Sequence, residues 1–335
     1  MIITFLIGNG FDIGLGMKTQ FKDIYKTYIQ TSSNAYHIEK FKLELQDDAP
    51  KYKNWSDFEM GMARYASNFS DEAKFIDCIR DFKMHMEEHL LSEQNKAMES
   101  IYKDELSMWR CVNELEKSMS IFYKGQSKNV IAVIDDMMSR NVMNVYNFII
   151  FNYTTILDYI IARYSEQQQQ KDRIEEVIHI HGKINEDVVL GVDNETQLSN
   201  VQFPISKKTQ RAFIKPIFNQ MYDKFRVEKA IKLIEESQVV CVYGMSLGES
   251  DKSWTDKLVE WLKEDPTHYL IYFDYTEEFY RRCNWDKIME VEEEEKEILL
   301  KRITDSPEDI EKIINQVHIP IGYDIFVFDN IFKEA

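Results

Sequence analysis

The chain has 335 residues, of which 44% are hydrophobic and 13% aromatic, which is enough for one large α/β domain and argues against wholesale disorder. Its formal net charge of −17 disfavours general binding to nucleic acids or acidic membranes, because those partners select basic faces. The four cysteines form no Cys-x-x-Cys pair, which disfavours a zinc module or a disulfide framework and fits a reducing cytoplasm. No apolar stretch reaches 18 residues and the short apolar start lacks a basic leader, so we expect no membrane span and a cytoplasmic location.

The start of the chain predicts a strand, a glycine turn and a helix. Ile2–Ile7 is a compact apolar run that stops at Gly8, which is typical of a strand buried on both faces of a parallel sheet. After the glycines, Phe21, Ile24 and Tyr28 recur at helical spacing. The low contents of glycine and proline, 11 and 6 residues, favour long helices with few elaborate loops.

Residues 34–140 follow a different pattern. Charged residues alternate there with Phe, Leu, Met and Trp at helical spacing, and no strand pattern is evident. We interpret this region as a helical insertion within a single α/β nucleotide-binding domain that spans residues 1–335. Its methionines and aromatic residues then form the apolar stripes of core helices rather than a cofactor site.

The rest of the chain alternates apolar runs with helical stretches. The predicted strands are Tyr146–Phe151, Val177–His181, Val188–Leu190, Val239–Tyr243 and Tyr269–Phe273, and the chain closes with the apolar run Ile325–Phe328. Helices are predicted from Ile156, across residues 207–236, from about Ser253 and in the tail to about Gln316, with Gln167–Gln170 as an exposed loop. Strands that are separated by helices and end in polar or glycine turns indicate a doubly wound, mostly parallel, Rossmann-like sheet.

Four of these strands end in unusual polar or glycine-containing turns. In open parallel sheets, ligands bind in the crevice beyond the carboxyl ends of the strands. If the strands are parallel, the four turns lie on one edge of the sheet and converge, and we predict a pocket for a nucleotide-like ligand there. The candidate binding residues are Gly8, Asn9, Gly10, Phe11, Asp12, Tyr153, Thr154, Gly182, Gly244, Ser246 and Asp251, and the candidate catalytic residues are Asn152 and His181.

The first turn, Gly8–Asp12, suits a phosphate because glycines let the backbone approach it and a helix N-terminus follows. Its spacing does not match G-x-G-x-x-G, because the third glycine, Gly14, falls one place late. Asp12 would repel a pyrophosphate, so a contact to a ribose hydroxyl and a helix cap are the alternatives for its side chain. The glycines would equally serve a tight turn between strand and helix.

Asn152 and His181 offer the clearest chemistry. An amide can fix a ribose, a carbonyl or a water molecule, although asparagine after a strand is also a common turn former. Strand alternation puts His179 and His181 on one face, and the position of His181 at the strand end suits a general base near neutral pH or a structural hydrogen bond. A zinc pair is disfavoured because no third ligand stands at an evident spacing, and we expect no metal.

The turn Gly244–Asp251 suits contacts to an adenosine, a ribose or a phosphate. It also matches the G-x-S-x-G nucleophile elbow of serine hydrolases, with Ser246 as the nucleophile. A catalytic triad would then need an acid and a histidine later in the chain. His268 precedes a strand and so lies at the wrong edge, which leaves His318 with an acid such as Asp274.

Together these stretches resemble the AbiH family of bacterial proteins that act in abortive phage infection. The matching stretches are Leu6–Asp12, Trp55–Glu59, Phe151–Thr154, His179–Gly182, Leu190–Asp193 and Gly244–Asp251, in the order that the family has them. The resemblance implies a role in phage defence, and it does not by itself define a reaction.

The same order of turns is similar, more distantly, to sirtuin-like NAD-consuming domains. That resemblance implies that Gly8 and Gly10 approach a pyrophosphate. It also implies that Asn152 orients the nicotinamide ribose or a water molecule and that His181 acts as the base. Asp12 stands where the sirtuin-like turn would have a hydroxyl group. The chain has no zinc-binding cysteine module, which argues against a protein deacetylase.

The leading hypothesis is therefore an anti-phage protein that binds and cleaves NAD or a related nucleotide, with NAD as substrate or ligand rather than redox cofactor. One alternative is a non-enzymatic sensor in which a bound nucleotide changes the helical insertion. Another is a hydrolase or nuclease toxin, although no carboxylate cluster or basic channel stands out. A phage-derived trigger and association into a homo-oligomer stay open as partnerships.

Overall fold

The computed structural model describes residues 1–48, 55–166, 172–198, 201–273 and 285–328, and within them the centre is a six-stranded parallel sheet. The strands are β1 (Ile2–Ile7), β2 (Val145–Ile150), β3 (Arg173–His179), β4 (Val239–Tyr243), β5 (Tyr269–Phe273) and β6 (Val317–His318). Their order in the sheet is β3-β2-β1-β4-β5-β6, so the direction of winding reverses between β1 and β4. This is the doubly wound, Rossmann-like arrangement that the sequence predicts.

All the described helices lie between strands along the chain. They are α1 (Gly10–Gly14), α2 (Phe21–Tyr28), α3 (Tyr36–Asp48), α4 (Trp55–Tyr65), α5 (Glu72–Tyr102), α6 (Glu105–Ile121), α7 (Lys128–Ser139), α8 (Ile156–Ser165), α9 (Lys207–Phe213), α10 (Lys215–Glu235), α11 (Lys252–Glu264), α12 (Trp285–Ile303) and α13 (Pro307–Ile313). The longest, α5, follows Asp71, whose side chain accepts a hydrogen bond from the Ala73 amide and so caps the first turn. Among the described residues, no helix is both long enough and apolar enough to cross a bilayer.

The described residues between β1 and β2 are helical and contain no strand, but they pack in two places. Helices α6 and α7 cover one face of the sheet together with α8, while α10, α11 and α12 cover the other face. Helices α2 to α5 instead share a core of their own, in which the Phe21 and Phe58 rings stack with centroids 3.8 Å apart and Phe82 lies against Phe58 at 4.8 Å. This second core lies beside the turn after β2, because Tyr153 belongs to it.

Strand boundaries agree with the sequence for β1, β4 and β5 and shift by one to four residues for β2 and β3. One predicted strand is wrong. Val188–Leu190 is a buried loop whose apolar side chains fill the core of α2 to α5, and its neighbour Val192 forms only a single bridge to Ile214. Ile325–Phe328 pairs with no strand, since Phe326 has a φ of 56° and its ring packs on the sheet face instead. The predicted loop Gln167–Gln170 lies outside the described residues.

Candidate functional site

A cleft of about 450 Å³ lies at the carboxyl ends of β1, β2 and β4, where the winding of the sheet reverses. This volume falls within the range of small-molecule sites, and the reversal point is where doubly wound sheets bind their ligands. The lining residues are Gly8, Asn9, Gly10, Asp12, Ile13, Gln20, Phe21, Lys22, Trp55, Glu59, Leu90, Phe151, Asn152, Tyr153, His181, Lys215, Gly244, Met245, Ser246, Asp251, Tyr272, Phe273 and Arg302. Most of the candidate residues from the sequence therefore meet in one cleft.

Three of the sequence candidates lie elsewhere. Phe11 is buried under the first turn, where its ring packs edge-on against Phe326 and Phe328. Thr154 lies behind the cleft wall and donates a hydrogen bond to Asp12. Gly182 faces a separate, more open surface depression next to His179.

The glycines of the first turn are required by close packing against the turn after β4. A Cβ atom on Gly8 would lie 2.4 Å from the Gly244 carbonyl oxygen, and one on Gly10 would lie 2.3 Å from the Gly244 Cα atom. The Gly8 amide donates to the Tyr243 carbonyl and the Gly10 amide to the Gly244 carbonyl, both at 2.8 Å. These two amides are therefore committed to the protein itself, and the helix that follows, α1, has only five residues.

Asp12 forms the centre of a small buried group, which we call the carboxyl–amide cluster: Asp12, Asn152 and Thr154. Its Oδ1 atom accepts hydrogen bonds from Asn152 Nδ2 at 2.9 Å and from Thr154 Oγ1 at 2.7 Å. Burial raises the pKa of Asp12 to about 7, and the two hydrogen bonds offset only part of that effect. Asp12 thus neither caps α1 nor pairs with a cation among the described residues.

Two oxygen atoms of this cluster have no hydrogen-bond partner among the described residues. They are Asp12 Oδ2 and Asn152 Oδ1, and both are buried. Because an unpaired buried polar atom costs roughly 1–3 kcal/mol, a partner from outside the described residues would stabilise the cluster. Both residues line the cleft, so a ligand or a water molecule in the cleft can supply it.

A second polar group, which we call the ionic cluster, contains His181, Asp251, Lys215 and Glu59. His181 Nε2 lies 3.2 Å from Asp251 Oδ1, and its Nδ1 donates to the Phe151 carbonyl at 3.1 Å. Lys215 Nζ donates to Asp251 Oδ1 at 2.9 Å and to Glu59 Oε2 at 2.8 Å. Four residues from four separate parts of the chain thereby form one connected network on the cleft wall.

The charges of the ionic cluster support one another. Burial opposes ionisation of Asp251, yet the Lys215 ammonium and His181 outweigh it and hold the pKa of Asp251 below its usual value. Burial likewise opposes the charge on Lys215, but Asp251 and Glu59 raise the pKa of Lys215 above its usual value. Burial raises the pKa of Glu59, and the Lys215 ammonium offsets only part of that effect. Lys215 is thus a fixed cation between two carboxyl groups.

Sequence reasoning missed Lys215 and gave Glu59 no role. Glu59 belongs to the stretch Trp55–Glu59, and its Oε1 also accepts a hydrogen bond from the Gly191 amide at 3.1 Å. Lys215 stands alone in an apolar run just before Pro216, at the start of α10. A lone lysine in a stretch that otherwise reads as buried is the one local signal that could have identified it.

His179, the last residue of β3, and His181 do not act together. His179 Nε2 contacts Asp158 Oδ2 on α8 at 2.8 Å, and Lys183 joins the same carboxylate at 3.1 Å, outside the cleft. His181 instead contacts Asp251, as described above. The described residues contain no group of three or more His, Cys, Asp or Glu side chains that could hold a metal ion.

The serine-hydrolase alternative lacks its histidine. Ser246 lines the cleft, but α11 does not begin until Lys252, so the sharp turn from strand directly into helix is missing. His268 stacks on the Trp261 ring and bonds to its carbonyl oxygen. His318 stacks on Tyr269 on β5 and is absent from the cleft lining. The proposed acid Asp274 lies outside the described residues.

Comparison with known proteins gives one finding. A family model described as bacteriophage abortive infection AbiH matches residues 4–275, a span that contains every lining residue of the cleft except Arg302. No curated protein matches the chain.

Proposed function

Since the chain belongs to the AbiH family of bacteriophage abortive infection proteins, we propose that it acts in phage defence by cleaving NAD or a related nucleotide in the cleft. The observation that carries this proposal is the meeting of the two polar clusters in one cleft at the reversal point of the sheet. A family match alone would leave the chemistry open, because fold and family do not define a reaction.

The reaction that we propose for the cleft is hydrolysis of a glycosidic bond. The bond between ribose C1′ and the nicotinamide nitrogen breaks, and its electron pair leaves with the nicotinamide. A water oxygen bonds to C1′, and the proton of that water passes to a protein group or to solvent. The chain has to hold the ribose, orient the water and exclude bulk solvent.

Asn152 is suited to hold and orient. Its Nδ2 is tied to Asp12, which fixes the plane of the amide, while its Oδ1 has no partner among the described residues. That oxygen can accept a hydrogen bond from a ribose hydroxyl or from the attacking water. Trp55 and Leu90 also line the cleft, and the Trp55 ring packs edge-on against Tyr153, the neighbour of Asn152, with centroids 6.3 Å apart.

His181 is held in place rather than left free as a base. Both ring nitrogens already face oxygen atoms, those of Phe151 and Asp251. Proton transfer to Nε2 therefore requires that the contact with Asp251 opens when the ligand enters. Until then the imidazole fixes the shape and the charge of the cleft wall.

A nucleotide sensor is the second candidate, and one observation favours it. Helices α4 and α5 supply Trp55, Glu59 and Leu90 to the cleft, so a bound ligand would contact the helical region directly. In that case the ligand would shift the packing of these helices without being consumed. Ligand binding without nicotinamide release is the result that would favour this candidate.

The decisive experiment incubates the purified full-length protein with NAD and follows release of nicotinamide and ADP-ribose. We expect turnover by the wild type and a loss of roughly 10²–10⁴-fold in Asn152→Ala and His181→Ala, the usual scale for an orienting or acid–base residue. His179→Ala is the matched control, because it also removes a buried histidine–aspartate contact at the end of β3 but lies outside the cleft. Full turnover in both cleft variants would refute the assignment of these residues.

A further inference from the structure

Lys22 and Arg302 occupy a special position on the cleft. Among its lining residues that the structure describes, they are the only ones that are exposed to solvent, and both are cations. Lys22 lies in the first turn of α2 and Arg302 near the end of α12, so they reach the mouth of the cleft from two different elements. In a chain with a net charge of −17, two cations alone at the mouth of a cleft indicate selection for an anion.

The donors of both residues remain available. Lys22 forms no hydrogen bond or ion pair with the residues that the structure describes. Arg302 uses one guanidinium nitrogen, Nη1, to bond the Ser246 carbonyl at 2.9 Å and the Tyr272 hydroxyl at 3.3 Å. That anchor fixes the guanidinium beside the β4 turn and leaves its other nitrogens for a ligand.

The other expected anion contacts in the described cleft, the first glycine turn and Lys215, are already engaged. The amides of Gly8 and Gly10 are bonded to carbonyl groups of the β4 turn. Lys215 forms ion pairs with Asp251 and Glu59. The floor of the cleft therefore carries its own compensating charges, whereas the cations at the mouth have no carboxylate partner among the described residues.

We propose that Lys22 and Arg302 form the phosphate subsite of the cleft and bind the phosphate or pyrophosphate group of a nucleotide. This assignment rests on the nucleotide binding proposed above, but not on cleavage. It replaces the first glycine turn as the expected phosphate contact. The nucleoside part of the ligand would then extend inward toward Asn152 and His181.

The test compares two ligands that differ in the phosphates. Equilibrium dialysis measures binding of ADP-ribose and of adenosine to wild type, Lys22→Gln, Arg302→Gln and the double variant. We expect each single change to weaken ADP-ribose binding about 10-fold, the lower end of the scale for a hydrogen bond to a charged group, and to leave adenosine binding unchanged. Arg302→Lys, which keeps the charge, should fall between wild type and Arg302→Gln.

Matched controls come from the same helices. Lys26→Gln and Lys301→Gln remove one positive charge each from α2 and α12 at positions outside the cleft lining, and should leave both affinities unchanged. Equal weakening by these controls would reduce the effect to net charge and overturn the subsite, as would equal loss of adenosine and ADP-ribose in Lys22→Gln and Arg302→Gln. Wild-type binding of ADP-ribose without NAD cleavage would refute the enzymatic proposal alone, and no wild-type binding would refute both.

Discussion

The two polar clusters in the cleft differ in how completely they are paired. In the ionic cluster, Lys215 bonds to two carboxylates and both ring nitrogens of His181 face oxygen atoms. In the carboxyl–amide cluster, Asp12 and Asn152 each keep one buried oxygen without a partner among the described residues. The difference indicates that the first cluster is satisfied by its own members, whereas the second has two acceptor atoms that a molecule in the cleft could satisfy. Buried polar residues that line the same cleft can thus have different roles.

Removal of Lys215 should give the largest loss of stability. Lys215→Met leaves two buried carboxylates without their cation, and breaking a buried ion pair in this way costs about 3–5 kcal/mol. Chemical unfolding at neutral pH measures the loss. The exposed Lys208→Met on α9 is the control and should change the free energy of unfolding little.

The double variant Lys215→Met with Glu59→Gln sharpens this prediction. It removes one of the two stranded charges and should be more stable than Lys215→Met alone. If Lys215→Met lowered the free energy of unfolding by less than about 1 kcal/mol, the ionic cluster would not stabilise the fold as we expect.

The carboxyl–amide cluster should make the protein less stable as the pH rises. The folded pKa of Asp12, about 7, lies above its ordinary value of 3.8, so the buried side chain costs stability as the pH rises between these values. Asp12→Asn keeps an oxygen for Asn152 and Thr154 and should gain stability over wild type across this range, by up to about 4 kcal/mol. Unfolding curves from pH 4 to 8 measure the gain.

Asp158 is the contrasting control. Burial raises its pKa, but His179 and Lys183 outweigh that effect and hold the pKa below the usual value. Asp158→Asn should therefore be less stable than wild type above pH 4, and the difference should shrink as the pH falls. A pH-independent effect of Asp12→Asn would show that Asp12 is ionised in the folded protein at all these pH values.

Thr154→Val should give the smallest effect. It removes one hydrogen bond to Asp12, at a cost of about 1 kcal/mol, and the carboxylate loses a donor. The pKa of Asp12 should then rise further, which NMR titration of the carboxyl carbon would detect. Thr155→Val, whose hydroxyl bonds to Gln94, should leave that titration unchanged.

The sequence predicts the sheet better than the site, for a physical reason. Buried parallel strands produce short apolar runs, and Ile2–Ile7, Val239–Tyr243 and Tyr269–Phe273 end where the structure ends them. The same apolarity misleads at Val188–Leu190, because a segment can be buried without pairing.

Local sequence patterns do not predict the ionic cluster. Lys215 and Glu59 are 156 positions apart, and nothing near either residue specifies the other. The convergence of Gly8, Asn152 and Gly244 was predictable because it follows from the parallel topology. Which atoms are paired and which are left open depends on side-chain geometry, and only the three-dimensional structure supplies that.

The order of strands has a consequence for how the protein is made. β1 leaves the ribosome first, yet its neighbours in the sheet are β2 and β4. Ile3 can therefore pair only after Tyr146, and then Val239, have been synthesised. Lys215 and Asp251 are likewise synthesised well after Asp12 and Asn152. A nascent chain that stops before them lacks part of the cleft lining. Long-range pairings of this kind form late in folding. The cleft can therefore be complete only after Arg302, its last lining residue in the chain, has been synthesised.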